Sequence, residues 1–158
     1  MKRLALLLIA AVLLLGGCSD PVGMPLACKD IQLTIPADFI DLSGEDYAKN
    51  SDFYFGRKTL IFHGLSEHKA IFLEEMSLEE YTAHVIEANE LTCSAEANGS
   101  GYLFTYEAPI GDTTYTYITA TYEGADYFWI LQFYCPTANL AENQAEIQII
   151  LESLQPAA

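Results

Sequence analysis

The ten residues 126–135, DYFWILQFYC, constrain the fold more than any other part of the chain. A strand turns successive side chains to opposite faces, so a strand with one wet face alternates apolar and polar residues. This run is apolar on both faces except for Gln132. It is therefore expected as a central strand of a sheet covered on both sides. Residues 102–108 and 113–122 carry the Thr, Tyr, Phe and Ile that a pleated surface prefers. Pro109-Ile110-Gly111-Asp112 and Glu123-Gly124-Ala125 punctuate the three runs as turns.

Upstream, residues 31–35 alternate apolar and polar side chains until Pro36 stops them. Residues 37–52 are polar and irregular. Residues 53–55 and 59–65 read as one interrupted strand with Gly56 at a bulge, 66–68 as a turn, and 69–76 as the returning strand. Ser77 and Glu80 have the spacing of a capping box, and Leu78, Tyr81, Val85 and Ala88 make an apolar helical stripe behind it. Asn139 and Glu142 suggest a second cap, before a stripe of Leu140, Ile147, Leu151 and Leu154. The expected order is β-β-β-α-β-β-β-α. This is an α+β fold, an antiparallel sheet of about six strands with helices packed on it.

Four stretches, IQLTIPADF, EEMSLEEY, DYFWILQFYC and the terminal IILESL, resemble the PsbP-like α/β/α sandwich over roughly residues 31–154. That family is named for an extrinsic subunit of the photosynthetic oxygen-evolving complex. It also includes a eukaryotic nuclear-import factor and many bacterial lipoproteins. The resemblance implies the sandwich fold and carries no partner-binding residue onto this chain, because one fold hosts unrelated activities.

The chain opens Met1-Lys2-Arg3, runs Leu4 to Leu15 without a polar residue, and reaches Gly16, Gly17 and Cys18. A basic start, a short apolar run and small residues mark a signal peptide over residues 1–17. The run is shorter than the ~20 residues a membrane span needs. Leu15-Gly16-Gly17-Cys18 resembles the lipobox of bacterial lipoproteins, which implies a thioether-linked diacylglycerol on Cys18 and cleavage just before it. Residues 18–27, with Pro21, Gly23 and Pro25, read as a lipidated tether, and 28–155 as a single globular domain. The expected location is the cell membrane of a bacterium, lipid-anchored on the extracytoplasmic side. The bilayer is a partner through the anchor, and no cofactor beyond the covalent lipid on Cys18 is expected.

Charge narrows the partners. The chain has 22 acidic and 7 basic residues, a formal charge of −15, and no Lys or Arg after Lys69. Nucleic acid is excluded, because its binding requires cations that neutralise phosphates. Acidity of this size supports solubility and favours cationic partners.

The chemistry-bearing residues form no recognised motif. His63, His68 and His84 lack HExxH or HxH spacing and no CxxC occurs, so no metal site is expected. In DLSGED, residues 41–46, Gly44 stands at the fourth position, whereas an EF-hand loop places glycine sixth. Ser100 lies between glycines, but after a helix and before a strand, the reverse of a hydrolase elbow. No catalytic residue is assigned. Tyrosines crowd the last three strands, and Thr and Tyr alternate over 113–122. Tyr115 and Tyr117 are therefore the candidate interaction surface, set against simple cross-strand pairing.

Outside the membrane thiols oxidise, and a lipidated Cys18 leaves Cys28, Cys93 and Cys135. If the strand at 31–35 and the strand ending at 135 are antiparallel neighbours, Cys28 and Cys135 meet. That disulfide is expected, with Cys93 to Cys135 as the alternative. The resemblance to bacterial lipoproteins also implies cysteines at the places of Cys28 and Cys135. The functional expectation is a non-enzymatic, membrane-tethered module that binds a protein or small ligand. Its alternatives are an envelope enzyme or metal-dependent factor using scattered carboxylates with His63 or His84, and a structural accessory subunit of a membrane assembly.

Overall fold

The computed structural model describes residues 23–72 and 75–157. Along the chain come β1 (Met24–Cys28), β2 (Ile31–Ile35), β3 (Ile40–Asp41), β4 (Phe53–Arg57), β5 (Leu60–His68) and α1 (Leu78–Ala88). They are followed by β6 (Glu96–Asn98), β7 (Gly101–Ile110), β8 (Thr113–Glu123), β9 (Tyr127–Pro136), α2 (Leu140–Glu152) and β10 (Gln155–Pro156). Seven strands form an antiparallel sheet in the order β3-β4-β5-β9-β8-β7-β6, and β1-β2-β10 form a second sheet. The run that is apolar on both faces is thus the middle strand of seven. It has β5 on one side and β8 on the other.

Each face of β9 has its own cover. Trp129, Leu131, Phe133 and Cys135 point to a core closed by Ile31, Leu33 and Ile35 of β2 and by Ile147 and Ile150 of α2. Phe128 points the other way, to a core closed by Leu78, Tyr81 and Val85 of α1. Tyr81 stacks on Phe128 with ring centres 4.4 Å apart. The capping box forms as the spacing predicts: Ser77 accepts from the Glu80 amide, and the Glu80 carboxylate accepts from the Ser77 amide at 2.9 Å. Ala88, expected in the apolar stripe, is exposed at the last turn of α1. Asn139 makes no side-chain cap, because a 3-10 turn at Thr137–Asn139 leads into α2.

Several local expectations are corrected. Residues 24–27, expected in the tether, belong to β1, which pairs along the whole of β2 from Met24 opposite Ile35 to Cys28 opposite Ile31. Their backbone groups satisfy one edge of β2 while β10 takes the other. The lipid anchor at Cys18 and the signal peptide lie outside the described residues. Residues 53–65 are two strands rather than one bulged strand; Lys58, at φ +50°, helps turn the chain tightly from β4 into β5. Residues 66–68 extend β5 instead of turning, and Lys69–Ile71 form a 3-10 turn in place of a strand. The His68 ring accepts the Ala70 amide there, which closes the turn.

The expected disulfide is also corrected, because β2 and β9 lie in different sheets. Cys28 sits two residues before Asp30, whose carboxylate meets Trp129 near the start of β9, whereas Cys135 closes that strand. Six residues of extended chain separate those ends by about 20 Å, far beyond disulfide reach. Cys93 packs in the α1 core, on the opposite face of the sheet from Cys135. All three are free thiols.

Candidate functional site

Helix α1 covers only part of its sheet face. Beyond Phe104 and Phe128 the register carries a row of aromatic side chains across three strands: Tyr106 of β7 opposite Tyr117 of β8, and Tyr117 opposite Tyr134 of β9. Tyr106 and Tyr117 stack with centroids 4.8 Å apart and planes within 2°. Tyr117 and Tyr134 stack at 5.2 Å. Tyr115 meets Tyr134 edge-on at 6.2 Å, and the Tyr134 hydroxyl hydrogen-bonds that of Tyr54. Tyr54 carries the row on to His63, stacked at 5.1 Å, and to the exposed Tyr47 at 5.3 Å. Tyr106, Tyr115, Tyr117 and Tyr134 are all half-buried.

This arrangement decides what the face can contact. Both faces of the Tyr117 ring are covered by neighbouring tyrosines, so it turns its edge and hydroxyl outward. Sugar stacking requires a free ring face, whereas edges and hydroxyls suit an amphipathic protein surface. Burial pushes the phenols of Tyr106, Tyr117 and Tyr134 above their ordinary range, and the bond to Tyr54 adds to the shift at Tyr134. They are neutral donors and acceptors. Tyr115 and Tyr117, singled out by the alternation over 113–122, lie within this row; Tyr117 is stacked across strands on both sides and Tyr115 meets Tyr134 by its edge.

A polar relay runs beneath the row. Gln132 donates to the Tyr106 hydroxyl and to Thr119 Oγ1, each at 3.1 Å, while its Oε1 lies 3.1 Å from His63 Nε2. An amide oxygen only accepts, so Nε2 carries the proton and Nδ1 accepts from the Ser51 hydroxyl at 3.0 Å. Burial lowers the His63 pKa, and the Gln132 bond opposes that only in part. Residue spacing could not reveal this relay, since its members stand at positions 51, 63 and 132. The available signal was Gln132, the one polar side chain inside an apolar strand.

A hydroxyl–imidazole–amide chain has the wiring of a nucleophile, its base and an orienting group. An acyl-transfer site also needs free donors for an oxyanion. The amides of Ser51 and Asp52 are already bonded to the carbonyls of Ala48 and Gly64. The relay therefore reads as a satisfied network that holds the tyrosine row. His84 is exposed on α1 and stands apart from it. Among the described residues no three His, Cys, Asp or Glu side chains converge as a metal site, and no helix is long and apolar enough to cross a membrane.

Four of the five described cations are paired: Lys29 with Asp52, Lys49 with Asp46, Arg57 with Asp38 and Glu146, and Lys69 with Glu123. Strands β6 to β9 and both helices contain no Lys or Arg.

No protein-family model and no curated protein matches the sequence. Solved structures do match its fold. A protein of Bacteroides thetaiotaomicron VPI-5482 superposes with a TM-score of 0.61 at 14% identity, over 87% of this chain and 49% of its own. This chain thus spans about half the length of that protein. The cyanobacterial PsbP, CyanoP, from Synechocystis sp. PCC 6803 matches with a TM-score of 0.59 at 9% identity, over 90% of this chain and 96% of its own. LpqN of Mycobacterium tuberculosis, described as involved in cell envelope biogenesis, matches with a TM-score of 0.52 at 12% identity, over 89% and 88%. The α+β fold with antiparallel sheets and two packed helices is PsbP-like.

Proposed function

We propose that this chain is a lipid-anchored extracytoplasmic protein that works by docking a partner protein on its tyrosine-lined sheet face, without turnover. The observation that carries this reading is the stacked row of Tyr106, Tyr117 and Tyr134 that α1 leaves uncovered. Tyrosine edges combine apolar area with fixed hydroxyls, the chemistry enriched at protein interfaces. The lipobox-like Leu15-Gly16-Gly17-Cys18 supports the anchor, and the likeness to LpqN, a protein involved in cell envelope biogenesis, supports the compartment. With two or more acyl chains on Cys18 the domain would be held stably at the bilayer, so a partner would meet it there.

The test combines two measurements on the full chain in a bacterial host. Metabolic labelling with an alkyne fatty acid is expected to mark the protein and to be lost in Cys18→Ser. A photo-crosslinker in place of Tyr115 should give one protein adduct that Tyr134→Glu abolishes, and none from the exposed Glu152 of α2. An unlabelled protein, or adducts indifferent to Tyr134→Glu, would overturn the reading. So would turnover on an ester, peptide or glycan panel that Ser51→Ala or His63→Ala removes.

A further inference from the structure

The outer edge of β7 is open beyond Leu103 among the described residues. Asn98 and Gly101 flank the two-residue Gly99-Ser100 turn, and Ile110 and Thr113 flank the Gly111-Asp112 turn. Residues flanking a two-residue hairpin turn exchange backbone hydrogen bonds with each other. Odd-numbered residues of β7 therefore aim their N–H and C=O groups toward β6, and even-numbered ones toward β8. Pairing with β6 ends at Leu103 opposite Glu96, while β7 continues to Ile110. The N–H and C=O groups of Thr105 and Glu107, and the C=O of Pro109, thus point off the sheet with no strand beside them. No backbone or side-chain partner takes them among the described residues.

Three further features belong to this edge. A cleft of about 630 Å³ opens where β6 stops, lined by Cys93, Ser94, Glu96, Phe104 and Thr105. Thr105 and Glu107 are exposed, and Tyr106 between them begins the tyrosine row. The charge carried by β6 to β8 and the turns between them has one sign: they include Glu96, Glu107 and Asp112 and no Lys or Arg.

We propose that the free edge of β7, residues 105–109, pairs with an extended Lys- or Arg-rich segment of a partner protein, which adds as an eighth strand beside the tyrosine row. This names the partner's chemistry for the docking reading above and rests on it. Strand addition satisfies the open backbone groups, and alternate side chains of the added strand select the partner. A cation beside Glu107 is a favourable cross-strand pair. A second copy of this chain is disfavoured, since its edge would set Glu107 near Glu107 between two strongly acidic bodies. Pro109 has no N–H, so the added strand ends there.

The probe is a synthetic octapeptide alternating lysine with valine, titrated against the isotope-labelled full chain in detergent micelles. Amide exchange at Thr105 and Glu107 should slow about tenfold or more, and the effect should weaken as salt rises. The matching glutamate–valine peptide should give none of this, nor should the lysine peptide N-methylated at alternate residues. Glu107→Pro removes an outward N–H and leaves the β8 ladder whole, so it should abolish protection with little loss of stability. Absence of protection at millimolar lysine peptide would overturn the proposal, as would equal binding of the glutamate peptide or an unaltered response in Glu107→Pro. Those results with the Tyr115 crosslink intact defeat the edge alone. Loss of that crosslink defeats the docking reading itself.

Discussion

Asp30 accepts the indole N–H of Trp129 at 2.7 Å, which fixes the turn between β1 and β2 to the central strand of the other sheet. Its second carboxylate oxygen accepts the amides of Asp126 at 2.7 Å and Tyr127 at 3.1 Å. A Cβ on Gly124 would stand 2.4 Å from that oxygen, so only glycine leaves room for the clamp. Burial by itself would raise the Asp30 carboxyl, but the indole and amide bonds outweigh it and hold the pKa below the usual range. A depressed carboxyl pKa gives stability that is present above the unfolded value near 4 and lost as pH falls through the folded value. Asp30→Asn is expected to cost about 2 kcal/mol near neutral pH, the scale of charge-assisted bonds. Denaturant titration should show that gap shrinking in strong acid. An equal gap at both pH values would contradict the clamp.

The three thiols give the second expectation. Cys135 is 1% exposed, while Cys28 and Cys93 are half-buried; burial raises the pKa of both Cys135 and Cys28. Access therefore sets the order: Cys135 should resist alkylation at neutral pH until the chain unfolds, and Cys28 and Cys93 should react earlier. Non-reducing peptide mapping should find no intramolecular pair. A peptide joining Cys28 to Cys135 would require these ends to meet and would overturn the placement of β2 in a separate sheet.

Thr82 and Thr121 tie α1 to β8 through hydroxyls 2.6 Å apart in the dry core. Thr82 donates to the Leu78 carbonyl at 2.7 Å, so it can only accept from Thr121. The two valine substitutions are then unequal. Thr121→Val leaves Thr82 bonded and should cost under about 1 kcal/mol. Thr82→Val strands the Thr121 hydroxyl among apolar groups and should cost about 1–3 kcal/mol. Equal losses in thermal or denaturant unfolding would contradict this assignment of donor and acceptor.

How far the fold could be read ahead depended on whether its cause was local. The central strand was legible because only a doubly covered strand tolerates FWILQFY, and α1 because Ser77 and Glu80 carry their cap in their spacing. Strand β1 was not, since MPLAC contains a proline and alternates poorly; it is a strand because β2 offers an open edge. The hairpin after β4 was missed because Lys58 adopts a left-handed conformation that usually signals glycine. The tyrosines of β8 were visible as an alternating pattern, but their stacking depends on register with β7 and β9. Register also makes His63 face Gln132, a contact between residues 69 positions apart.

That contact carries the last expectation. Burial holds His63 neutral, so its folded pKa lies below the ordinary histidine value and the unfolded chain takes up a proton first. Stability should therefore fall as pH drops below about 6.5, and level off once the folded ring also protonates. Nitrogen and proton NMR should find the neutral ring protonated on Nε2, which faces Gln132 Oε1 at 3.1 Å. Gln132→Glu places a carboxylate at that distance, where an opposite charge favours the imidazolium and should lift the His63 midpoint by about one unit or more. Tyr106 and Thr119, which now accept from the amide, can rotate their hydroxyls to donate to the new carboxylate, so the row above should persist. An unmoved midpoint in Gln132→Glu would separate His63 from Gln132, and with it the relay from the tyrosine row it supports.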